Sequence, residues 1–370
     1  MSDLTTLCVG GPVGSYTRAE TADAVVEAVR ASDAAARPLL VVAGGSNLLV
    51  SDSGFPGEVV HIATRGIEIV DDTGCGGVTV RVAAGEVWDS LVEHAVASGW
   101  VGIEALSGIP GSVGATPVQN VGAYGQDVAQ TIAQVRTFDR QERAIRTFAV
   151  GDCGFGYRTS AFKQAADRFV VLDVTFQFGE GALGRPIAYG ELATALGIQI
   201  GERAPMADVR DAVLALRRSK GMVLDPADDD TRSAGSFFMN PVLTADAAAG
   251  LPADAPRWPQ PDGTVKTSAA WLIEHAGFTK GFALSVDAAA RISTKHTLAL
   301  TTRSDAVPPA RAADIVALAR VIRAGVHDAT GITLVPEPRL VGLALDPPSR
   351  IDSDTDPTAD AATTNAEAPA

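Results

Sequence analysis

Apolar residues recur along this chain at two spacings, and the two separate helices from strands. Ala22, Val25, Val26 and Val29 put one apolar face on a helix over residues 17–31. A second helix is predicted over 87–98, closed by Gly99. Short apolar runs at Leu39–Val42, 59–62 and 78–83 read as strands, and three more follow closely at 135–138, 144–150 and 169–178. That succession predicts helices beside a largely antiparallel sheet, unlike the regular alternation of a doubly wound fold. Further on, helices are predicted at 208–218, Ala269–His275 and 310–328, with strands at 297–301 and 333–343. The last of these carries Glu337. The Asp- and Ser-rich stretch 221–233 reads as a domain junction, and no internal repeat is visible.

A length of 370 residues suggests two or three domains, at about 100–200 residues each. With 46% hydrophobic residues the chain can bury a sizeable core, and its formal charge of −14 argues against nucleic acid or an anionic membrane as a partner. Residues 346–370 are mostly Asp, Ala, Pro, Ser and Thr without an aromatic residue, the composition of a disordered acidic tail. A second acidic run, 225–230, reads as a solvated loop. Cys8, Cys75 and Cys153 are too few and too scattered for a disulfide framework or a zinc site. His61, His94, His275, His296 and His327 lack metal-ligand spacing, so no metal is expected. The chain starts without the basic and apolar regions of a signal peptide, and no apolar run approaches about 20 residues. A soluble cytoplasmic protein is the expectation.

Five stretches can carry chemistry. Ala43-Gly-Gly-Ser-Asn-Leu-Leu-Val50 follows a strand directly, and a longer glycine-rich run extends from Ser107 to Gly125. Neither has the spacing of a Rossmann or P-loop motif. Both can form nests of backbone N–H groups that bind phosphate without basic side chains, as a large dinucleotide requires; ordinary tight turns are the competing reading. In Phe155-Gly-Tyr-Arg-Thr-Ser-Ala-Phe-Lys163, Arg158 can grip a carboxylate through two parallel hydrogen bonds, or form a salt bridge on a surface strand. Arg232-Ser-Ala-Gly-Ser-Phe-Phe-Met-Asn-Pro241 holds the hydroxyl of Ser236 without a nearby base. Proton donation stands there beside nucleophilic attack, and a turn bonding its own backbone stands beside both. In Pro336-Glu-Pro338, Glu337 is either an acid of raised pKa or the ion-pair partner of Arg339.

Taken together, AGGSNLLVSD, SGIPGSVGATPVQNVGAYG, FGYRTSAFK, RRSKGMVLD, SAGSFFMNP, KTSAAWLIEHAGFTKG and LVPEPRLVG resemble the UDP-N-acetylenolpyruvoylglucosamine reductase (MurB) family in its longer, type I form, from about Thr5 to Leu345. The resemblance implies an α+β fold: a two-lobed FAD-binding domain of the vanillyl-alcohol-oxidase (PCMH) type and a separate α/β substrate-binding domain. The implied divisions are 1–66 and 67–225 for the two FAD-binding lobes and 226–331 for the substrate domain. A final strand follows at 332–345 with the catalytic glutamate, then the tail at 346–370. Non-covalent FAD would lie along Gly44, Gly45, Ser46 and Asn47 in the first loop. In the second it would lie along Ser107, Gly108, Pro110, Gly111, Gly114, Ala115, Asn120, Gly122, Ala123 and Tyr124.

Further implications concern the reaction. NADPH reduces the flavin, the enolpyruvyl ether of UDP-N-acetylglucosamine accepts hydride, and UDP-N-acetylmuramate results. Arg158 and Glu337 stabilise the developing enolate, Ser236 protonates it, and Tyr189, Lys220 and Asn240 contact the substrate. Met239 is a departure, since several members carry Lys there. A monomer is expected. Another FAD oxidoreductase of the same fold and a non-catalytic nucleotide-sugar sensor are the alternatives at this level.

Overall fold

A computed structural model of the protein describes residues 1–74 and 76–346. Cys75 and all but the first residue of the acidic tail lie outside the described residues. The chain begins with a small parallel sheet in which Phe55–Ile62 is flanked by Val13–Ala19 and Leu39–Val42. Helix Ala22–Ala34 covers it, entered through the Thr21 hydroxyl, which accepts the Ala24 N–H at 3.1 Å. Residues 17–19 therefore belong to a strand, against the helix expected from residue 17; the capping threonine marks the boundary that apolar spacing missed. The expectation of a largely antiparallel sheet fails for this first layer for a related reason. Its strands are short continuous apolar runs, and such runs say nothing about direction.

The antiparallel sheet lies next in the chain. Its strands run in the order Ala144–Ala149, Ile132–Asp139, Phe169–Glu180, Gly77–Ala83 and Ile67–Gly74, and Trp100–Val101 joins the long strand Phe169–Glu180. Alternate residues of that strand point into a core with helix Trp88–Ala97. Within it Phe176 stacks on Phe178 at 5.5 Å between ring centroids, with Trp88 and Trp100 at the two ends of the row. Helix Met206–Ser219 forms a satellite core with Ala105, Ile187 and Leu192.

Beyond residue 225 the strands Ser233–Ser236, Ala299–Thr302 and Ala290–Ile292 form one small antiparallel sheet, and Val242–Leu243, Val265–Lys266 and Trp258–Pro259 form another. Helices Ala269–His275 and Ala312–Thr330 complete this part, and its core also takes in Leu7, Val9 and Leu49 from the start of the chain. The Asp52 carboxylate accepts the N–H groups of Ala312 and Ala313 at 2.8 and 3.0 Å, so an N-terminal residue caps the long C-terminal helix.

Two expectations about polar segments are corrected here. The run 225–230 is not simply solvated, because Asp230 is buried and accepts both the N–H and the hydroxyl of Thr294. The final strand is only Arg339–Val341; the prolines on either side of Glu337 keep it out of a regular ladder.

The aromatic row predicts where stability resides. Phe176→Ala should cost about 3–5 kcal/mol through the cavity it leaves, read as a lower urea midpoint. The exposed Ile145→Ala should change stability by about 0.5 kcal/mol or less.

Candidate active site

The two glycine-rich loops meet. A Cβ on Gly44 would lie 2.5 Å from the Gly111 Cα, so the backbones touch at a distance no other residue permits. The Ser46 hydroxyl donates to the Pro110 carbonyl at 2.9 Å, and the Asn47 amide donates to Gln119 at 2.9 Å. Gly45 has φ +56° and is buried. Among the described residues, the N–H groups of Gly44, Gly45, Ser46 and Asn47 have no acceptor, and the buried Ser112 hydroxyl has no partner. A concentration of unpaired donors without nearby cations fits an anionic phosphate group.

Other residues of the second loop are engaged within the protein. The Ser107 hydroxyl donates to the Glu104 carbonyl at 2.7 Å, and the Gly108 N–H donates to Asp89 at 2.6 Å. Gly114 presses on Ala84, with Ala115 next to it at the surface. Asn120, at φ +47°, donates to the Gly156 carbonyl at 3.2 Å and accepts the Ala129 N–H at 3.2 Å. That bond ties the loop to the turn bearing Arg158. Gly122 and Ala123 open a short hairpin, and the Gly122 carbonyl accepts from the Arg158 guanidinium at 3.1 Å.

Arg158 has φ +53°, a strained left-handed conformation for a bulky residue, held by Lys163 donating to its carbonyl at 2.9 Å. The segment is a turn and not the surface strand considered from sequence. Its Nε lies 3.2 Å from Glu337 Oε1, yet no hydrogen bond is aligned along that vector. The partner that sequence proximity offered Glu337, Arg339, pairs instead with Asp167 at 2.8 Å. Burial raises the Glu337 pKa above its ordinary value, and the nearby charges of Arg158 and Lys163 only partly oppose it. Burial wins because a misaligned ion pair returns little of what desolvating the carboxylate costs.

Ser236 ends the strand Ser233–Ser236 after Gly235, whose φ of +72° turns the chain. The Glu337 N–H donates to the Phe237 carbonyl at 2.8 Å and the Met239 N–H to Val335 at 3.0 Å. This backbone pairing sets the serine segment beside the glutamate segment, while Phe237 and Phe238 anchor it in the core. The Ser236 hydroxyl has no hydrogen bond among the described residues. Asn240 accepts the Ala269 N–H at 2.9 Å and bonds Tyr157, whose pKa burial raises.

Tyr189 meets Tyr124 edge to face at 5.5 Å, and Lys220 lies 5.7 Å from the Tyr124 ring centre. Burial pushes the Tyr124 hydroxyl up to about 12. Sequence reasoning did not single out Tyr157, which neighbours Asn240, or Lys266, whose ammonium sits 4.7 Å from the Tyr157 ring centre and which pairs with Trp258 across the strand. The position of Tyr157 directly before Arg158 was the one signal available.

Comparison with known proteins bears on this arrangement. Residues 225–341 match the C-terminal domain of UDP-N-acetylenolpyruvoylglucosamine reductase, and residues 15–147 match an FAD binding domain. A UDP-N-acetylenolpyruvoylglucosamine reductase from Cutibacterium acnes is 53% identical, over 93% of this chain and 90% of its own. The chain belongs to the UDP-N-acetylenolpyruvoylglucosamine reductase family. A reductase of the same name from Thermobifida fusca is 52% identical over 93% of this chain and 97% of its own. The crystal structure of the Thermus caldophilus enzyme superposes with a TM-score of 0.62 at 24% identity, covering 92% of this chain and 96% of that one, which shows a shared fold. As a member of the reductase family the chain is an oxidoreductase of peptidoglycan precursor synthesis that contains FAD and takes electrons from NADPH. Its fold is α+β, an FAD binding domain joined to the C-terminal domain of the reductase family.

The loop contact yields a test. Gly44→Ala forces backbone against backbone, which no side-chain rotation relieves, and should weaken flavin binding about tenfold or more, a loss of at least ~1.4 kcal/mol. Flavin absorbance per polypeptide after dialysis measures it.

Proposed function

We propose that Arg158, Glu337 and Ser236 carry the reduction of the enolpyruvyl ether of UDP-N-acetylglucosamine to UDP-N-acetylmuramate. The observation behind this reading is the approach of Arg158 to Glu337 at 3.2 Å, with Ser236 on the segment whose backbone pairs with that of Glu337. Residues 1–66 and 67–225 act as the two FAD-binding lobes, 226–331 as the substrate domain, and 332–345 as the segment that returns Glu337 to the flavin. The N–H groups of Gly44 to Asn47, with the Ser112 hydroxyl, would hold the FAD pyrophosphate. When bound, reduced FAD supplies hydride chemistry, which belongs to the cofactor.

The chain's own residues do the rest. Arg158 offers its Nε, which has no aligned acceptor, to the substrate carboxylate and to the charge that grows next to it. Glu337, whose pKa burial raises, gives a hydrogen bond to the same developing oxyanion when it carries its proton. Ser236 then delivers a proton to the carbon beside the carboxylate. Tyr189, Lys220 and Asn240 hold the UDP-sugar, with Tyr157, Trp258 and Lys266 lining the approach. The protein acts as a cytoplasmic monomer; its formal charge of −14 argues against nucleic acid or an anionic membrane as partner, and no helix among the described residues is long and apolar enough to cross a membrane.

Ser236→Ala should be reduced by NADPH at near-normal rate, while reoxidation by the enolpyruvyl substrate slows by about 10²–10⁴. Stopped-flow absorbance separates the half-reactions, and equally fast reoxidation of the mutant rules the serine out. The raised Glu337 pKa fixes the sign of a second effect. The neutral acid survives above the ordinary carboxylate range, so the substrate half-reaction should slow as pH rises through that pKa. In Glu337→Gln, whose amide donates at every pH, this limb should vanish and leave a lower, flat rate.

A further inference from the structure

Lys220 is not free to receive a phosphate. Its ammonium lies 2.6 Å from Glu191 Oε2, in an ion pair whose side chains are 28% and 39% exposed. Glu191 stands in the first turn of helix Gly190–Leu196, two residues after Tyr189. Tyr189 in turn meets Tyr124, the ring over which the Lys220 ammonium sits. One short segment thus brings together an aromatic residue assigned to substrate and a carboxylate that occupies the cation assigned to it.

The wider charge pattern gives the pair a direction. Lys220 and Lys280 face His296 from two different elements, with Glu191 and Glu274 opposing them. Burial and the two lysines hold this imidazole down at about 4, so it is neutral at physiological pH. Its Nδ1 accepts the Leu298 N–H at 3.1 Å, which leaves the proton on Nε2. Glu274 accepts from the Thr297 hydroxyl, so it is held by its own partner. Glu191 is therefore the carboxylate whose departure exposes positive charge here.

We infer that Glu191 is a specificity-determining residue: its carboxylate holds the place on Lys220 that a ligand phosphate takes, so the site favours ligands charged enough to displace it. The inference rests on the assignment of Lys220 to the phosphate region of the UDP-sugar. A partly exposed ion pair is worth little, which suits a contact that must break at each turnover. Its cost to the competing ligand corresponds to about a two- to fivefold loss of affinity.

The experiment uses the full-length holoenzyme and measures inhibition by UDP and by uridine in the parent, Glu191→Gln, Lys220→Ala and the double variant. Glu191→Gln should tighten UDP about two- to fivefold, with the KM of the enolpyruvyl substrate falling alongside. Uridine, which brings no phosphate, should bind parent and Glu191→Gln alike, and the gain for UDP should disappear once Lys220 is alanine. Unchanged or weaker UDP binding in Glu191→Gln, with Lys220→Ala still weakening UDP, would overturn the role of Glu191 and leave that of Lys220 standing. Equal tightening of uridine would overturn it too. UDP binding unaffected by Lys220→Ala would remove the phosphate role of Lys220, and that of Glu191 with it.

Discussion

The site depends on one extended segment, residues 335–341, which is gripped from both sides by backbone hydrogen bonds. On one side Arg339–Val341 runs parallel to Leu48–Val50, immediately after the first glycine loop, and the Arg339 N–H donates to the Asn47 carbonyl at 3.0 Å. On the other, Val335 and Glu337 pair with Met239 and Phe237. The chain ends its fold by wedging itself between the flavin-suited loop and the serine segment. Proline on both sides of Glu337 fixes φ there and withholds two N–H groups, so only the bonds that position the glutamate are made.

That wedge explains the electrostatics. A carboxylate on a free loop would rotate toward water or align with its cation. Glu337 sits on a backbone held by pairing on both sides, and Arg158 is restrained by its left-handed turn, by Lys163 on its carbonyl and by its own bond to Gly122. Two rigid groups meet at contact distance without an aligned hydrogen bond. Such a pair contributes little to stability. On the proposed reading, its value is that both partners keep unspent hydrogen-bonding capacity, a preorganised field for an anion that exists only during reaction.

Much of this was legible in the sequence, for local reasons. Gly-rich loops, a proline-flanked glutamate and a Ser before a Phe pair are signals carried by neighbouring residues. Helices with clear apolar faces, such as Ala269–His275, fell where the spacing put them. What escaped needed non-local information. The parallel pairing of the first strands, the burial of Asp230 by Thr294, and the choice of Asp167 over Glu337 by Arg339 are decided by partners 42 to 172 residues away. The Glu337–Arg158 pair is of the same kind: sequence offered Arg339, two residues on, and the fold supplied a residue from the antiparallel-sheet region.

The acidity of the chain acquires a use on this reading. A protein of formal charge −14 repels polyanions at long range, yet its substrate and electron donor both carry phosphates. The glycine loops meet that problem with backbone dipoles, which attract phosphate without adding a net cation to compete for the surrounding carboxylates. Where a lysine is used, as at Lys220, a carboxylate already sits on it. Binding there exchanges one anion for another instead of neutralising a bare cation, and an exchange discriminates by the difference between two interactions. Strong attraction would hold product as firmly as substrate; a difference lets the UDP-sugar leave once its chemistry is done.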